Sequence, residues 1–328
     1  MIGTNALFGV LLSQPAFSGR PSYRITYGHG RPDEHTFDNP LKYLRCRKTT
    51  NMQAHAMLKA SLAVAFSATQ DTSLLFKAAN HFHFPVNEVK ETNLDFINWG
   101  DTQLVYLATI TLADNRTYKF VLMVNQPHTI LGTVKREFNT LRRVGELRDT
   151  NVVIPFAYLR TDTYEMYATP YIEKARCIFS GKGYPWGNFN PHPYYHFEEF
   201  SEPTKLTVTS GMVALLVAYY DNNSNQGLAE THLSGDDFIL TQAFRPNDPA
   251  SVLSNMKLTA ARGVINISFE DYLEQLRVEF IKGTHYTDSE VLQGKFRINH
   301  KSGLALSASE IEEGIRLGIE LRAANAIA

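Results

Sequence analysis

The feature that most constrains this chain is a pair of apolar runs, Leu104–Leu112 and Tyr118–Val124, joined by Ala113-Asp114-Asn115-Arg116. Both runs are rich in Val, Ile, Leu, Tyr and Thr, the residues that suit a pleated, half-buried surface. The Asp-Asn pair supplies the turn chemistry of a tight hairpin. Behind them Gly132-Thr133 marks a helix start, and Val134, Phe138, Leu141 and Val144 recur at helical spacing. Two further strands are expected, Val152–Leu159 and Glu165–Tyr171, linked by the polar Arg160-Thr161-Asp162-Thr163. Over Phe96–Glu173 the order is read as β-β-β-α-β-β, one antiparallel sheet with a single inserted helix; four of the five strands are the runs just named.

Composition sets the outer bounds. The chain has 328 residues, 44% hydrophobic and 20% charged, enough for two or three sub-domains with their own cores. Lys plus Arg (32) nearly balances Asp plus Glu (33), so no global field asks for nucleic acid or an anionic membrane. Cys46 and Cys177 are far apart, which fits free thiols in a reducing compartment and excludes a cysteine metal cluster. The longest clean apolar run, Met212–Tyr220, is too short to cross a membrane. The apolar patch Ala6–Leu12 lacks the basic residues of a secretory signal, so a cytoplasmic protein is expected.

Residues 1–50 read as irregular, and Gly28-His29-Gly30 reads as a loop rather than an anion nest. The scattered His29, His35, His81 and His83 lack the paired spacing of a metal site. Asn51–Ala68 reads as a helix with Ala54, Met57, Leu58, Leu62, Ala65 and Phe66 on one face. Asp71-Thr72 is expected to cap a second helix reaching His81. Such helices would lean on the sheet or on a partner. Gly181–Pro203 mixes prolines, glycines and aromatics and cannot be a regular helix. Thr207–Asp221 reads as a buried helix, followed by Gly227–Thr241 with an apolar strand at Phe238-Ile239-Leu240. Ser268 is expected to cap a helix carrying Phe269, Leu273, Leu276 and Phe280. A last helix, capped by Ser309 with Glu312, would put Ile311, Ile315 and Ile319 on one face.

The order across Phe96–Glu173 resembles the N-terminal lobe of the protein-kinase-like fold, in particular the aminoglycoside and choline phosphotransferase branch. The matching pieces are Trp99-Gly100-Asp101, Val105-Tyr106, Tyr118–Leu122, Arg136-Glu137, Pro155 and Ala168-Thr169-Pro170-Tyr171-Ile172. The resemblance implies a two-lobed α+β protein. It would have a five-stranded antiparallel N-lobe with one inserted helix (91–175) and a mostly helical C-lobe (176–328), which carries the aromatic-proline insertion at 181–203. Residues 1–90 would be a partly helical extension.

The same resemblance implies ATP with Mg²⁺ and phosphotransfer to a hydroxyl of a small molecule, which needs neutralised phosphates and an oriented hydroxyl. Gly100, Lys119, Glu137 and Tyr171 would then bind nucleotide. In the catalytic loop the pattern H-x-D-x-x-x-x-N falls on Glu230, His232 and Asp237. His232 would take the place of the catalytic Asp, with Asp236 next in line if one residue is gapped. Asp237 would be a Mg²⁺ ligand, since a carboxylate can replace an amide oxygen. Gly263-Val264-Ile265-Asn266 resembles I-D-x-E with Asn266 for the second metal ligand.

Two departures weigh on that chemistry. The strand lysine should fall near Met123, and a thioether cannot replace an ammonium. Lys119 is nearby but is expected on the other face of the strand. The alternative is an inactive, pseudokinase-like module that binds a small molecule or a protein partner. No P-loop, dinucleotide, nucleophile-elbow or H-E-x-x-H motif occurs.

Overall fold

The computed structural model describes residues 24–28, 50–99, 102–147, 151–173, 175–179, 194–196, 201–228, 238–241, 243–245, 248–261, 263–282 and 307–325. The described residues form a mixed α+β protein. Its centre is a sheet of order β1-β2-β3-β4-β6-β5, built from Arg24–Gly28, Val89–Trp99, Gln103–Leu112, Thr117–Asn125, Glu165–Pro170 and Ala157–Arg160 respectively. The last five of these strands are mutually antiparallel, and β1 adds a parallel edge strand beside β2.

Helix α3 (Thr133–Leu147) is inserted between β4 and β5, so the β-β-β-α-β-β order is present and the helix starts at the expected residue. β1 corrects the reading of residues 1–50 as irregular.

The β3–β4 hairpin forms for the reasons its sequence supplies. Leu104, Tyr106, Ala108, Ile110 and Leu112 alternate into one core. In the turn Asn115 takes φ 66°, a left-handed conformation that Asn tolerates. Asp114 accepts the Arg116 N–H at 3.0 Å and closes the turn. The Val152–Leu159 expectation needs correction. Pro155 has no N–H to give a ladder, and Val153 instead donates its N–H to Leu258 at 2.8 Å. The strand itself is only Ala157–Arg160.

The N-terminal helices α1 (Asn51–Ala65) and α2 (Leu74–Phe82) pack on the sheet, which answers what they lean on. Ala54, Leu58, Leu62, Leu74 and Leu75 share a core with Leu94, Ile110, Phe120 and Leu122. Thr50 and Gln53 form a reciprocal cap on α1. Ser73 caps α2, not Asp71-Thr72.

The opposite face carries α3 and the C-terminal half. α4 (Glu202–Ala218), capped by Ser201, begins five residues before the expected Thr207. α5 (Pro249–Asn255), α6 (Phe269–Lys282) and α7 (Ala308–Asn325) complete the helices. Ser268 caps α6 as expected. Ser307 and Glu310 cap α7, whereas Glu312 reaches across to Arg277 at 2.6 Å. Ile311 and Ile315 are buried, but Ile319 is exposed.

Short strands accompany these helices. β7 (Arg176–Phe179), β8 (Tyr194–His196), β10 (Phe238–Leu240) and β11 (Met256–Leu258) make a four-stranded sheet. β9 (Gln226–Leu228) pairs with β12 (Val264–Asn266). Most of the aromatic-proline segment lies outside the described residues.

Candidate functional site

The sheet face turned away from α1 and α2 is legible from its register. One row runs Asp95, Leu107, Val121, Thr169 across β2, β3, β4 and β6. The next runs Val105, Met123, Tyr167, Tyr158, and on the other side lie Asn93, Thr109 and Lys119. Lys119 and Met123 are four residues apart in a strand paired without a bulge, so they share this face. That overturns the expectation of opposite faces.

Their surroundings differ. Met123 packs against a cluster holding Val134, Leu141, Val144, Phe138 and Tyr167. The Phe138 ring stands 5.5 Å from Tyr158 and 6.4 Å from Tyr167. The position where the resemblance wants an ammonium is therefore a thioether in apolar company. Lys119 is exposed, with its ammonium 3.7 Å from Glu173. Tyr171 lies at the same end of the sheet, one residue past the Phe120–Pro170 pair.

Glu137 lies elsewhere. It is buried, and Gln103 donates its side-chain amide to it. Gln103 pairs with Asn125, six residues along β4 from Lys119, which is roughly 20 Å of strand. The structure thus brings Lys119 and Tyr171 together and keeps Glu137 apart from both.

Asn266 is a strand residue. Its side-chain oxygen accepts from Gln226 Nε2 at 2.7 Å, directly across the β9–β12 pair. Gly100, His232, Asp236 and Asp237 lie outside the described residues.

Register shows what lies beside the two residues that flank 229–237. Leu228, the last residue before that loop, pairs with Val264, and Phe238, the first after it, pairs with Leu258. Leu228 and Phe238 therefore both lie next to the ends of the stretch joining β11 to β12. That stretch is Thr259-Ala260-Ala261-Arg262-Gly263, with no carboxylate.

Two features escaped the sequence. Asp95 is half-buried on the same sheet face. Burial pushes its carboxyl above the usual range, against the opposing effect of Asn93, which donates Nδ2 to it at 3.0 Å. An acidic residue inside an alternating run was the available signal.

The second feature is a clamp between α3 and the α4–β9 turn. Arg143 donates to Asp221, Gln226 and Ser224. It floors a groove of about 660 Å³ that Phe138, Arg142, Glu146 and Leu147 help to line. The groove carries both signs of charge.

The Ser224 hydroxyl, followed by Arg143, pulls the Asp221 carboxyl from its ordinary 3.8 down to about 2. A depressed carboxyl pKa stabilises the fold above the unfolded value and loses that contribution as pH falls. Between about pH 4 and pH 2 the melting temperature should therefore drop less steeply in Arg143→Met than in the natural chain. Parallel acid profiles for the two proteins would refute the clamp.

Among the described residues, no group of three or more His, Cys, Asp or Glu could hold a metal, and no helix is long and apolar enough to cross a membrane. No family model matches the chain, and no curated protein matches it. Among solved structures it is similar to the BubR1 kinase domain, at 12% identity and a TM-score of 0.35. The similarity covers 53% of this chain and 47% of that one, so the chain spans about half the length of that kinase domain. A likeness at this level leaves the fold to be read from strand order and register alone.

Proposed function

We propose that this chain is a kinase-like binding module that does not transfer phosphate. Residues 91–175 are its N-lobe, 176–328 its C-lobe and 1–90 an extension. The observation that carries this is the carboxylate-free stretch Thr259–Gly263, which the β9–β12 and β10–β11 registers set beside the ends of the 229–237 loop. A divalent cation needs oxygen ligands, with charged ones for strong binding. The side chains of threonine, alanine, arginine and glycine supply no charged oxygen, and threonine offers only a neutral hydroxyl.

The nucleotide end of the cleft fits ATP no better. Met123 sits in an apolar cluster, and Glu137 is engaged by an amide where a kinase would use a lysine. Asp95 adds a carboxylate to the sheet face under which phosphates would lie. Removing the phosphate-neutralising charges damages the whole transition state, not one step of it. The ligand is then a small molecule or a protein partner bound without turnover, in a cytoplasmic protein with no nucleic acid or membrane partner.

The test is thermal stabilisation by ATP with and without Mg²⁺. A ligand at a hundredfold excess over its Kd stabilises by about 2.7 kcal/mol. We expect no Mg²⁺-dependent shift at millimolar ATP. A shift that needs Mg²⁺ and vanishes in Asp237→Ala would instead establish an ATP-using phosphotransferase, with Asp237 as metal ligand.

A further inference from the structure

The N-terminal helices and α3 lie on opposite faces of the sheet, yet one run of hydrogen bonds joins them through its edge. On the first face Lys77 of α2 donates its ammonium to the main-chain carbonyl of Tyr158 in β5. β5 ends the sheet, so part of its main chain faces no neighbouring strand, and Lys77 covers that edge. Lys77 is half-buried, and burial holds its ammonium below its usual pKa range.

On the second face the Tyr158 hydroxyl donates to Glu165 Oε1 at 2.9 Å. The other Glu165 oxygen accepts the Gly132 N–H at 2.6 Å, one residue before α3 begins. Glu165 is fully buried, and its own N–H is held by Asn125 Oδ1 at 2.6 Å. A carboxylate inside a protein persists only where donors satisfy it. Gly132, and so the first turn of α3, is thereby tied through Glu165 to Tyr158, and Arg160 Nη1 lies 3.7 Å from the oxygen that accepts from Tyr158.

Other hydrogen bonds of the helix pair, among the described residues, go to the β5–β6 turn. Ser61 reaches the hydroxyls of Thr161 and Thr163, and Tyr164 donates to the Ala54 carbonyl at 2.7 Å. All of these lie in α1 or the β5–β6 turn. The run through Lys77 continues to α3.

We propose that Lys77, Tyr158, Glu165 and Gly132 form a relay that makes the N-terminal helix pair a regulatory element of α3. A partner that draws α2 away from β5 releases the first turn of α3, and with it Glu137. The relay acts whether or not the cleft takes a nucleotide.

Hydrogen exchange on the full chain tests it. Lys77→Met and Tyr158→Phe should each speed exchange of amides in 133–141 about tenfold, the effect of losing roughly one hydrogen bond from a local opening. Exchange in the β3–β4 hairpin and in α4 should keep its natural rate. Lys77→Arg should restore α3, and Ser61→Ala, which removes a fastener outside the relay, should leave it unchanged. Tyr158→Phe keeps the ring against Phe138, so it reports on the hydroxyl and not on packing. Natural exchange rates in α3 for both relay variants would overturn the proposal. So would acceleration spread equally over α4 and the hairpin, or the same response from Ser61→Ala.

Discussion

Gly314→Ala is expected to lower the melting temperature, although alanine is the better helix former. Gly314 lies in α7, where it meets α4. A Cβ built there would stand 2.5 Å from the Val213 Cβ and 2.7 Å from the Ser210 carbonyl oxygen. Gly318, one turn on, meets Val217 and the Ala214 carbonyl at the same two distances. The obstacle is main chain and Cβ, which cannot rotate away, so the helices must separate. Glycine in an open helix is about 1 kcal/mol worse than alanine. Overpacking a tight contact costs typically 1–3 kcal/mol, occasionally more.

The packing effect should therefore win at Gly314, and in Gly314→Val it should exceed about 3 kcal/mol, a large share of the roughly 5–15 kcal/mol that folds a domain. The buried cluster holding Val213, Leu216, Ile311 and Ile315 would open with it. Calorimetry or denaturant titration decides the matter. A gain in stability for Gly314→Ala would show that α4 and α7 do not touch along this line.

How much was legible in the sequence depended on element length. The β3–β4 hairpin and α3 were readable because ten and fifteen residues hold a period long enough to recognise. α6 was readable from Ser268, since a cap has chemistry of its own. Val152–Leu159 misled because its composition suits a strand, while Pro155 and the link to Leu258 take its first half elsewhere. β1 is five residues ending in glycine and carries no pattern that sets it apart from loop.

The surroundings of the candidate site were hidden for the same reason. β9, β10, β11 and β12 are three residues each, too short for periodicity, and only their pairing reveals what lies beside Leu228 and Phe238. Motif spacing points to Asn266, which pairing places in β12 opposite Gln226. Lys119 and Met123 share a face by parity, because the β3–β4 ladder is free of bulges.

Because so much hangs on β9, Gly227→Val should be the second severe substitution. A Cβ on Gly227 would lie 2.5 Å from two atoms of the Tyr272 ring and 2.9 Å from a third. Tyr272 is 1% exposed, so its ring has little room to swing. Its hydroxyl also donates to the Leu216 carbonyl at 3.4 Å, which ties the ring to α4. Either β9 leaves β12 or the ring leaves the core. Both outcomes place the cost of Gly227→Val at about 3 kcal/mol, the upper part of the overpacking range.

Shrinking the ring should give part of that back. Tyr272→Leu alone should destabilise, since it empties volume in the core, and combined with Gly227→Val it should destabilise by less than the sum of the two. A coupling of 0.5 kcal/mol or more is typical for residues in contact, against near-additivity for distant ones. Simple additivity in the double variant would mean that Gly227 does not pack against Tyr272. The β9–β12 register, and with it the placing of Thr259–Gly263 beside the loop, would then lose its support.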